Sequence, residues 1–253
     1  MSWTEHAVKP SERPAAGSAG AATGTPTVSF VIAAYNEAPT IARVIDGIRR
    51  HTPNLLEVIV VDDGSRDDTA GAATAAGARV VRLDRNRGKG AALRAGIRQA
   101  TGDVLMFIDA DGQDDPAEIP LLLDALTPDV AQVIGSRFLG TFLDGSVTPL
   151  HHLGNRFLTR AFNVLYGTAL TDTQAGFRAV RRAALQADAL RAVRYEIEAD
   201  VTLQVLRGGG RTIDVPVTRD ARRHGRSGFR SFYDGTRILA RMVTGRIGMA
   251  LGR

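Results

Sequence analysis

Apolar and polar positions follow two alternating periods along most of the chain. Residues 28–34 are almost continuously apolar, as in a strand buried on both faces. Ile41, Val44, Ile45 and Ile48 then recur at helical spacing within 39–50, and Pro39 suits a first helical turn. The pattern continues with a strand over 56–61, an Ala-rich helix over 69–76 and a strand over 79–83. A helix over 90–100, a strand over 104–108, a helix over 116–126 and a strand over 130–134 follow. Strands separated by helical stretches of about 10–15 residues predict right-handed βαβ units, hence an α/β fold with a mainly parallel sheet and helices on both faces. Such sheets bind ligands beyond the carboxyl ends of their strands. Residues 1–26 are rich in Ala, Gly, Pro, Ser and Thr without a period, and are expected to form a disordered tail. The main domain is expected over 27–218, and a basic loop with an amphipathic helix over 219–253.

The strand-end rule singles out acidic residues. Tyr35-Asn36-Glu37 follows the first strand, Asp62-Asp63-Gly64-Ser65 the second, and Asp109-Ala110-Asp111-Gly112-Gln113 the fourth. Carboxylates gathered on one rim repel unless a cation or hydrogen-bond donors offset them. Asp109, Asp111 and Gln113 offer three hard oxygens, leaving positions for water and a diphosphate, which suits magnesium or manganese. An EF-hand is excluded, because its sixth position would be Asp114 and its twelfth Pro120. Asp62 to Ser65 is equally compatible with a plain turn and helix cap. Gly88-Lys89-Gly90 does not complete a dinucleotide fingerprint, and no Walker A sequence exists, so a diphosphate would rely on the metal and basic side chains.

Composition narrows the chemistry. The chain has 253 residues, 44% hydrophobic and 23% charged, which is ordinary for a globular protein. It contains no cysteine, which removes disulfide scaffolds, Cys-ligated zinc and a cysteine nucleophile. No segment reaches the roughly 20 apolar residues of a membrane span, and the first residues lack the apolar core of a signal peptide. The net charge of +5 is uneven: from Arg219 to Arg253 there are nine Arg against Asp220 and Asp234, a net of +7, leaving −2 elsewhere. That end is expected to meet an anionic partner.

The strings VIAAYNEA, VIVVDDGSRDDT, NRGKGAALRAGI and GDVLMFIDADGQDDPAE together resemble the family 2 glycosyltransferases of GT-A fold, in particular the polyprenyl-phosphate (dolichyl-phosphate) mannose and glucose synthases. GSRF, DTQAGFRAVRR and RRHGRSGF extend the resemblance to about residue 233. It implies a metal-dependent, inverting transfer of a hexose from a nucleotide-sugar, of GDP-mannose or UDP-glucose type, to a polyprenyl phosphate. By the same resemblance Tyr35, Glu37 and Asp62 would bind the base and ribose, and Lys89 would lie near the nucleotide. Asp109, Asp111 and Gln113 would hold Mg2+ or Mn2+. Arg137, Arg178, Arg222 and Ser227 would handle phosphate groups of donor or acceptor. This chain has Ala33 where the family usually has Pro, and Gly112 where it often has Leu; neither change removes a ligand atom. The Gln-x-x-Arg-Trp motif of the sugar-polymerising members is absent. Two alternatives stay open: transfer to a soluble or glycolipid hydroxyl, and a nucleotide- or nucleic-acid-binding module. The Asp109, Asp111 and Gln113 set argues against the module, so no nucleic-acid partner is expected.

Other features have two explanations. Glu196 and Glu198 fit either acid enrichment at a helix start or an orienting role toward the arginine cluster. His151 and His152 are expected on a loop or helix start. Within 229–251, Phe232, Leu239, Val243 and Ala250 share one side of a helix, and Arg226, Arg230, Arg237 and Arg241 roughly the other. The basic side is either the solvated face of a helix packed on the sheet or a surface that docks on an anionic membrane. Relatives of this type often continue into transmembrane helices; this chain is expected to be cytoplasmic and to meet the inner face of the membrane peripherally.

Overall fold

A computed structural model describes residues 25–222, 224–225 and 228–251. Most of the expected N-terminal tail, and Ser227, therefore lie outside the described residues. Seven strands and seven α-helices follow one another: β1 (Val28–Ala34), α1 (Ala38–His51), β2 (Leu55–Asp62), α2 (Thr69–Ala75), β3 (Arg79–Arg82), α3 (Lys89–Ile97) and β4 (Val104–Phe107). Then come α4 (Ile119–Ala125), β5 (Val130–Phe142), α5 (Pro149–Tyr166), β6 (Arg178–Arg181), α6 (Ile197–Arg207), β7 (Arg211–Arg219) and α7 (Ser231–Ala250). One sheet has the order β3-β2-β1-β4-β6-β5-β7. β1 is parallel to β2 and β4, β2 to β3, and β5 to β7, whereas β6 runs antiparallel to both β4 and β5.

Alternation along the strands divides the core. Phe30, Ile32, Val58, Val60 and Met106 face α1 and α4, meeting Ile41, Ile45, Ile48, Ile119 and Leu122. Val31, Ile59, Val61, Leu105 and Phe107 face α3 and α6, meeting Leu93, Ile97, Val201 and Val205. The four apolar residues of α1, at 2% exposure or less, each stabilise the sheet contact by about 1.5–3 kcal/mol. α5, α6 and α7 close a third cluster around Phe162, Leu203, Ile238 and Met242. The expected division at 218/219 falls within β7, and α7 shares that cluster rather than standing apart.

His151 and His152 lie in the first turn of an 18-residue helix, the helix start that was one of their two expected settings, capped by Thr148, whose Oγ1 accepts from His151 N. Two expectations change. β5 continues to Phe142, well past the expected 134. β6 is a strand the periodicity does not reveal, since its four residues begin and end in Arg. Its reversed direction has a consequence for function. The chain enters β6 from the edge where the parallel strands end, so residues 172–178 arrive at the ligand-binding edge.

Candidate active site

A cleft of about 1170 Å³ opens along the carboxyl edge of the sheet and continues between the first turns of α5 and α7. At one end, three turns are stitched together by backbone donors. Asn36 N donates to Ser65 Oγ at 2.9 Å and Glu37 N to Thr69 Oγ1 at 2.9 Å, which joins the turn after β1 to the turn after β2. Asp63 accepts from Arg87 N at 2.7 Å and Gly88 N at 2.8 Å, which draws in the turn before α3. Gly88 has φ +97°, and a Cβ there would lie 2.6 Å from Val193 O, so glycine is required at this approach. Tyr35 and Glu37 line this end. Burial raises the Glu37 carboxyl above its ordinary value, against the pull of Arg222.

Asp62 is corrected. It is fully buried, its Oδ1 accepts from Ser65 N at 2.8 Å, and Arg82 Nε lies 3.3 Å from Oδ2. It closes the turn beneath the cleft, and Asp63 is the residue that lines it. The physical reason is register. Asp62 is the last residue of β2, paired with Ala34 inside the sheet, whereas Asp63 lies just beyond it.

The middle of the cleft is an alternation of charge. Lys89 Nζ, at the start of α3, lies 2.6 Å from Asp109 Oδ1 and 2.7 Å from Glu198 Oε1. A Cβ on Gly176 would stand 2.8 Å from Asp109 Oδ1, so a side chain there would displace this pair. Burial by itself would raise Asp109, but Lys89 and then Arg219 outweigh it and hold the carboxyl well below its usual range. Burial likewise opposes the charge on Lys89, and Asp109 and Glu198 outweigh it, so the ammonium is held more firmly than usual. Arg222 bridges two acids, with NH1 2.9 Å from Glu37 Oε1 and NH2 2.7 Å from Asp111 Oδ2. Arg219 NH1 reaches Asp114 Oδ1 at 2.6 Å, and its NH2 donates to Gln113 Oε1 at 3.0 Å.

Whether these residues suit a divalent ion is a question of donor chemistry. Asp109 and Asp111 line the cleft and present hard carboxylate oxygens. Gln113 Oε1 is engaged by Arg219 and its Nε2 donates to Asp220 O at 2.8 Å. An amide oxygen keeps a second lone pair, so Gln113 retains one acceptor position. Among the described residues no three acidic or histidine side chains converge into a ready-made cage. The donor set suits an ion that takes its remaining ligands from water and substrate oxygens.

Arg137 is gripped by buried Asp172, with Nε at 2.6 Å from Oδ2 and NH2 at 2.9 Å from Oδ1. Phe142, His151, Asn155, Phe229 and Tyr233 line the same cleft. Arg178, expected to handle phosphate, does not line the cleft. It is 2% exposed and faces α6, donating to Glu198 O at 2.8 Å and to the carbonyl of Ala175. It fastens β6 to α6, and burial lowers its pKa. Glu196 and Glu198 take different parts. Glu196 pairs with Arg237 and accepts from Val193 N, whereas Glu198 lines the cleft beside Lys89. Arg237 and Arg241 are not a free basic face, because they pair with Glu196 and Asp200 of α6. Sequence reasoning passed over Arg219, Asp63 and Asp172. Arg219 was within reach of the strand-end rule, since β7 is parallel to β5 and ends at the same edge.

Known proteins resemble this chain along most of its length. The model of the family described as Glycosyl transferase family 2 matches residues 29–188. Glycosyltransferase AglJ of Haloferax volcanii is 33% identical over 192 residues, covering 76% of this chain and 62% of that protein. Undecaprenyl-phosphate mannosyltransferase of Micrococcus luteus is 32% identical over 216 residues, covering 79% of this chain and 86% of that protein. The chain spans 53% of a further relative, the low-salt glycan biosynthesis hexosyltransferase Agl6 of Haloferax volcanii, at 31% identity over 86% of its own length. Among solved structures, glucosyl-3-phosphoglycerate synthase from Mycobacterium tuberculosis, in complex with Mn2+, uridine-diphosphate-glucose and phosphoglyceric acid, superposes with a TM-score of 0.71 at 27% identity. That match covers 87% of this chain and 80% of the other. With the family model matched over more than half its length, and its mostly parallel sheet shared with such enzymes, this chain belongs to glycosyl transferase family 2 and has the GT-A fold.

Proposed function

We propose that the protein transfers a hexose from a nucleotide-sugar to a polyprenyl phosphate, with inversion at the anomeric carbon. The observation that carries this reading is one cleft with two unlike ends. The end at β1 to β3 is polar and held by backbone donors, and the end at α5 and α7 is lined by Phe229, Tyr233 and Ile238, while Arg137 and Phe142 also belong to the lining. The cleft, at about 1170 Å³, exceeds the roughly 300–1,000 Å³ of a typical single-ligand pocket, which is room for two substrates. A cleft lined by both arginines and aromatic and apolar side chains suits a phosphate attached to hydrocarbon. The match to an undecaprenyl-phosphate mannosyltransferase points the same way.

On this reading Tyr35 and Glu37 contact the nucleoside, while Arg137 and Arg222 meet phosphate oxygens. Asp109, Asp111 and the remaining lone pair of Gln113 would hold Mg2+ or Mn2+. When bound, that ion would offset charge on the diphosphate. An acceptor phosphate oxygen forms the new bond to the anomeric carbon as the bond to the diphosphate breaks on the opposite face. A phosphate monoester, with a second pKa near 6, is already an anion at neutral pH and requires no general base. Arg222 is placed to exchange its two carboxylate partners for phosphate oxygens, and Lys89 keeps Asp109 ionised.

One observation favours transfer to a hydroxyl instead: Glu198 and His151 line the cleft and could accept a proton. Nucleotide-sugars are cytoplasmic metabolites, so the reading places the chain at the cytoplasmic face of the membrane. Among the described residues no helix is long and apolar enough to cross one. The test is a donor screen with GDP-mannose and UDP-glucose, Mg2+ or Mn2+, and paired acceptors: a short polyprenyl phosphate and the corresponding polyprenol. Product on the phosphate alone is expected. Product on the polyprenol alone, or full turnover in excess chelator, would contradict the proposal.

A further inference from the structure

α5 and α7 lie side by side with their first turns together. His151 Nε2 is 2.9 Å from Ser231 Oγ, and further along Tyr166 OH donates to Met242 O at 2.5 Å. Their inward residues, Leu158 and Phe162 on α5 and Ile238 and Met242 on α7, are buried in a common cluster. Their outward residues are apolar as well. On α5, Leu150, Leu153, Phe157 and Val164 are 56%, 68%, 60% and 78% exposed. On α7, Phe232, Val243 and Ile247 are 83%, 40% and 54% exposed. Isolated exposed apolar residues need no explanation, but stripes at helical spacing on two adjacent helices mark an interaction surface.

The charges beside the stripes are of one sign. Arg156 and Arg160 on α5, Arg246 on α7 and Arg230 at its start are exposed. α5 contains no acidic residue, and the single acid of α7, Asp234, is buried and ion-paired with Arg194 at 2.8 Å. The two helices therefore present apolar side chains and arginines to solvent without an exposed carboxylate. The same helices carry the cleft mouth, since His151 and Asn155 of α5 and Tyr233 of α7 line it, with Arg230.

We infer that the outward face of α5 and α7 docks on an anionic lipid bilayer, with the apolar stripes in the headgroup region and the arginines on lipid phosphates. The cleft then opens at the lipid surface. The proposed transfer to a lipid phosphate explains why that mouth should face a membrane, and the inference rests on that reading to this extent. A second copy of the chain is the weaker occupant. A two-fold interface sets the same patch against itself, and here that opposes arginine to arginine with no exposed carboxylate on either helix to answer it. This also reassigns the membrane contact from Arg237 and Arg241, which are turned toward α6.

The test is co-sedimentation of the whole chain with vesicles of equal parts phosphatidylcholine and phosphatidylglycerol. It compares wild type with the triple variant Leu153→Glu, Phe157→Glu and Ile247→Glu. Wild type is expected to bind, less strongly as salt rises, and the variant to bind about tenfold more weakly or worse. These side chains are exposed and outside the cleft. Melting temperature and transfer to a short, water-soluble polyprenyl phosphate should therefore be unchanged. Equal binding by the two proteins, or no binding by wild type, would overturn the inference. So would a wild-type dimer in light scattering that the triple variant makes monomeric. Intact vesicle binding without transfer counts against the transferase reading and leaves the docking face standing.

Discussion

At the β1 to β3 end of the cleft, Asp62 and Asp63 accept backbone N–H groups of Ser65, Arg87 and Gly88, no more than 25 residues away. At the β4 to β7 end, side chains hold side chains: Lys89 with Asp109 and Glu198, Arg137 with Asp172, and Arg222 with Glu37, 185 residues apart in sequence. The difference is one of exchangeability. A carboxylate that satisfies turn amides cannot let go without opening the turn. A guanidinium or ammonium that holds a carboxylate can accept a phosphate oxygen in its place with little rearrangement. One end is therefore a fixed socket, and the other is a set of charges ready to trade partners.

The most severe break in that comparison should come from Asp111→Ala. Transfer is expected to fall by about 10³-fold or more, with melting temperature nearly unchanged because Arg222 keeps its contact to Glu37. Initial rates beside a thermal melt check it, and a variant with substantial turnover would remove Asp111 from the chemistry.

Asp172→Asn and Arg178→Met sharpen the distinction between a cleft arginine and a core arginine. Both disturb a buried guanidinium, and breaking a buried charge pair costs about 3–5 kcal/mol. Urea denaturation should show a loss of that order for Asp172→Asn, and one in the same direction for Arg178→Met. In the folded fraction, Asp172→Asn should raise KM for the acceptor about tenfold, as Arg137 loses its clamp. Arg178→Met should leave both KM values in place. Equal KM effects from the two variants would erase the distinction.

The smallest effect expected is in pH dependence, where Asp63 and Glu196 have opposite signs. Burial raises Asp63, outweighing its backbone donors. The folded state then binds its proton more tightly than the unfolded chain, and its contribution declines as pH rises from the ordinary value of about 3.9 through the raised one. Burial also opposes ionisation of Glu196, but Arg237 and Val193 N more than offset it and lower the pKa. Its contribution is fully present above the ordinary value of about 4.3 and is lost as pH falls through the lowered one. Thermal melts across pH should show wild type losing ground to Asp63→Asn as pH rises. The margin of wild type over Glu196→Gln should close as pH falls. A shared sign would contradict the different balance of burial and hydrogen bonding at these two carboxylates.

The parts of the fold legible from residues are those governed by near neighbours. The βαβ succession through β4 follows from apolar runs and from the spacing of Ile41, Val44, Ile45 and Ile48, which decide burial within a few turns. The acidic strand ends were legible for the same reason. Misjudged positions all depended on distant partners or on register. Asp62 and Asp63 differ by one residue, yet one ends a strand inside the sheet and the other lies beyond it. Arg137 and Arg178 both stand in short motifs, and only the reversal of β6 sends Arg178 toward α6. α7 has the amphipathic periodicity expected of it, but two of its arginines are drawn inward by Glu196 and Asp200.

Local chemistry in the chain thus determined an α/β fold with a mainly parallel sheet, the existence of α7, and an acidic rim set by Glu37, Asp109 and Asp111. Hydrophobic period and strand-end position depend only on residues close in sequence, so one chain suffices to state them. Tertiary structure alone decided which arginines face the cleft, which carboxylates they hold, and which side of α5 and α7 is left in water. A long charged side chain can satisfy any opposite charge within reach, and the sheet order chooses which one arrives there.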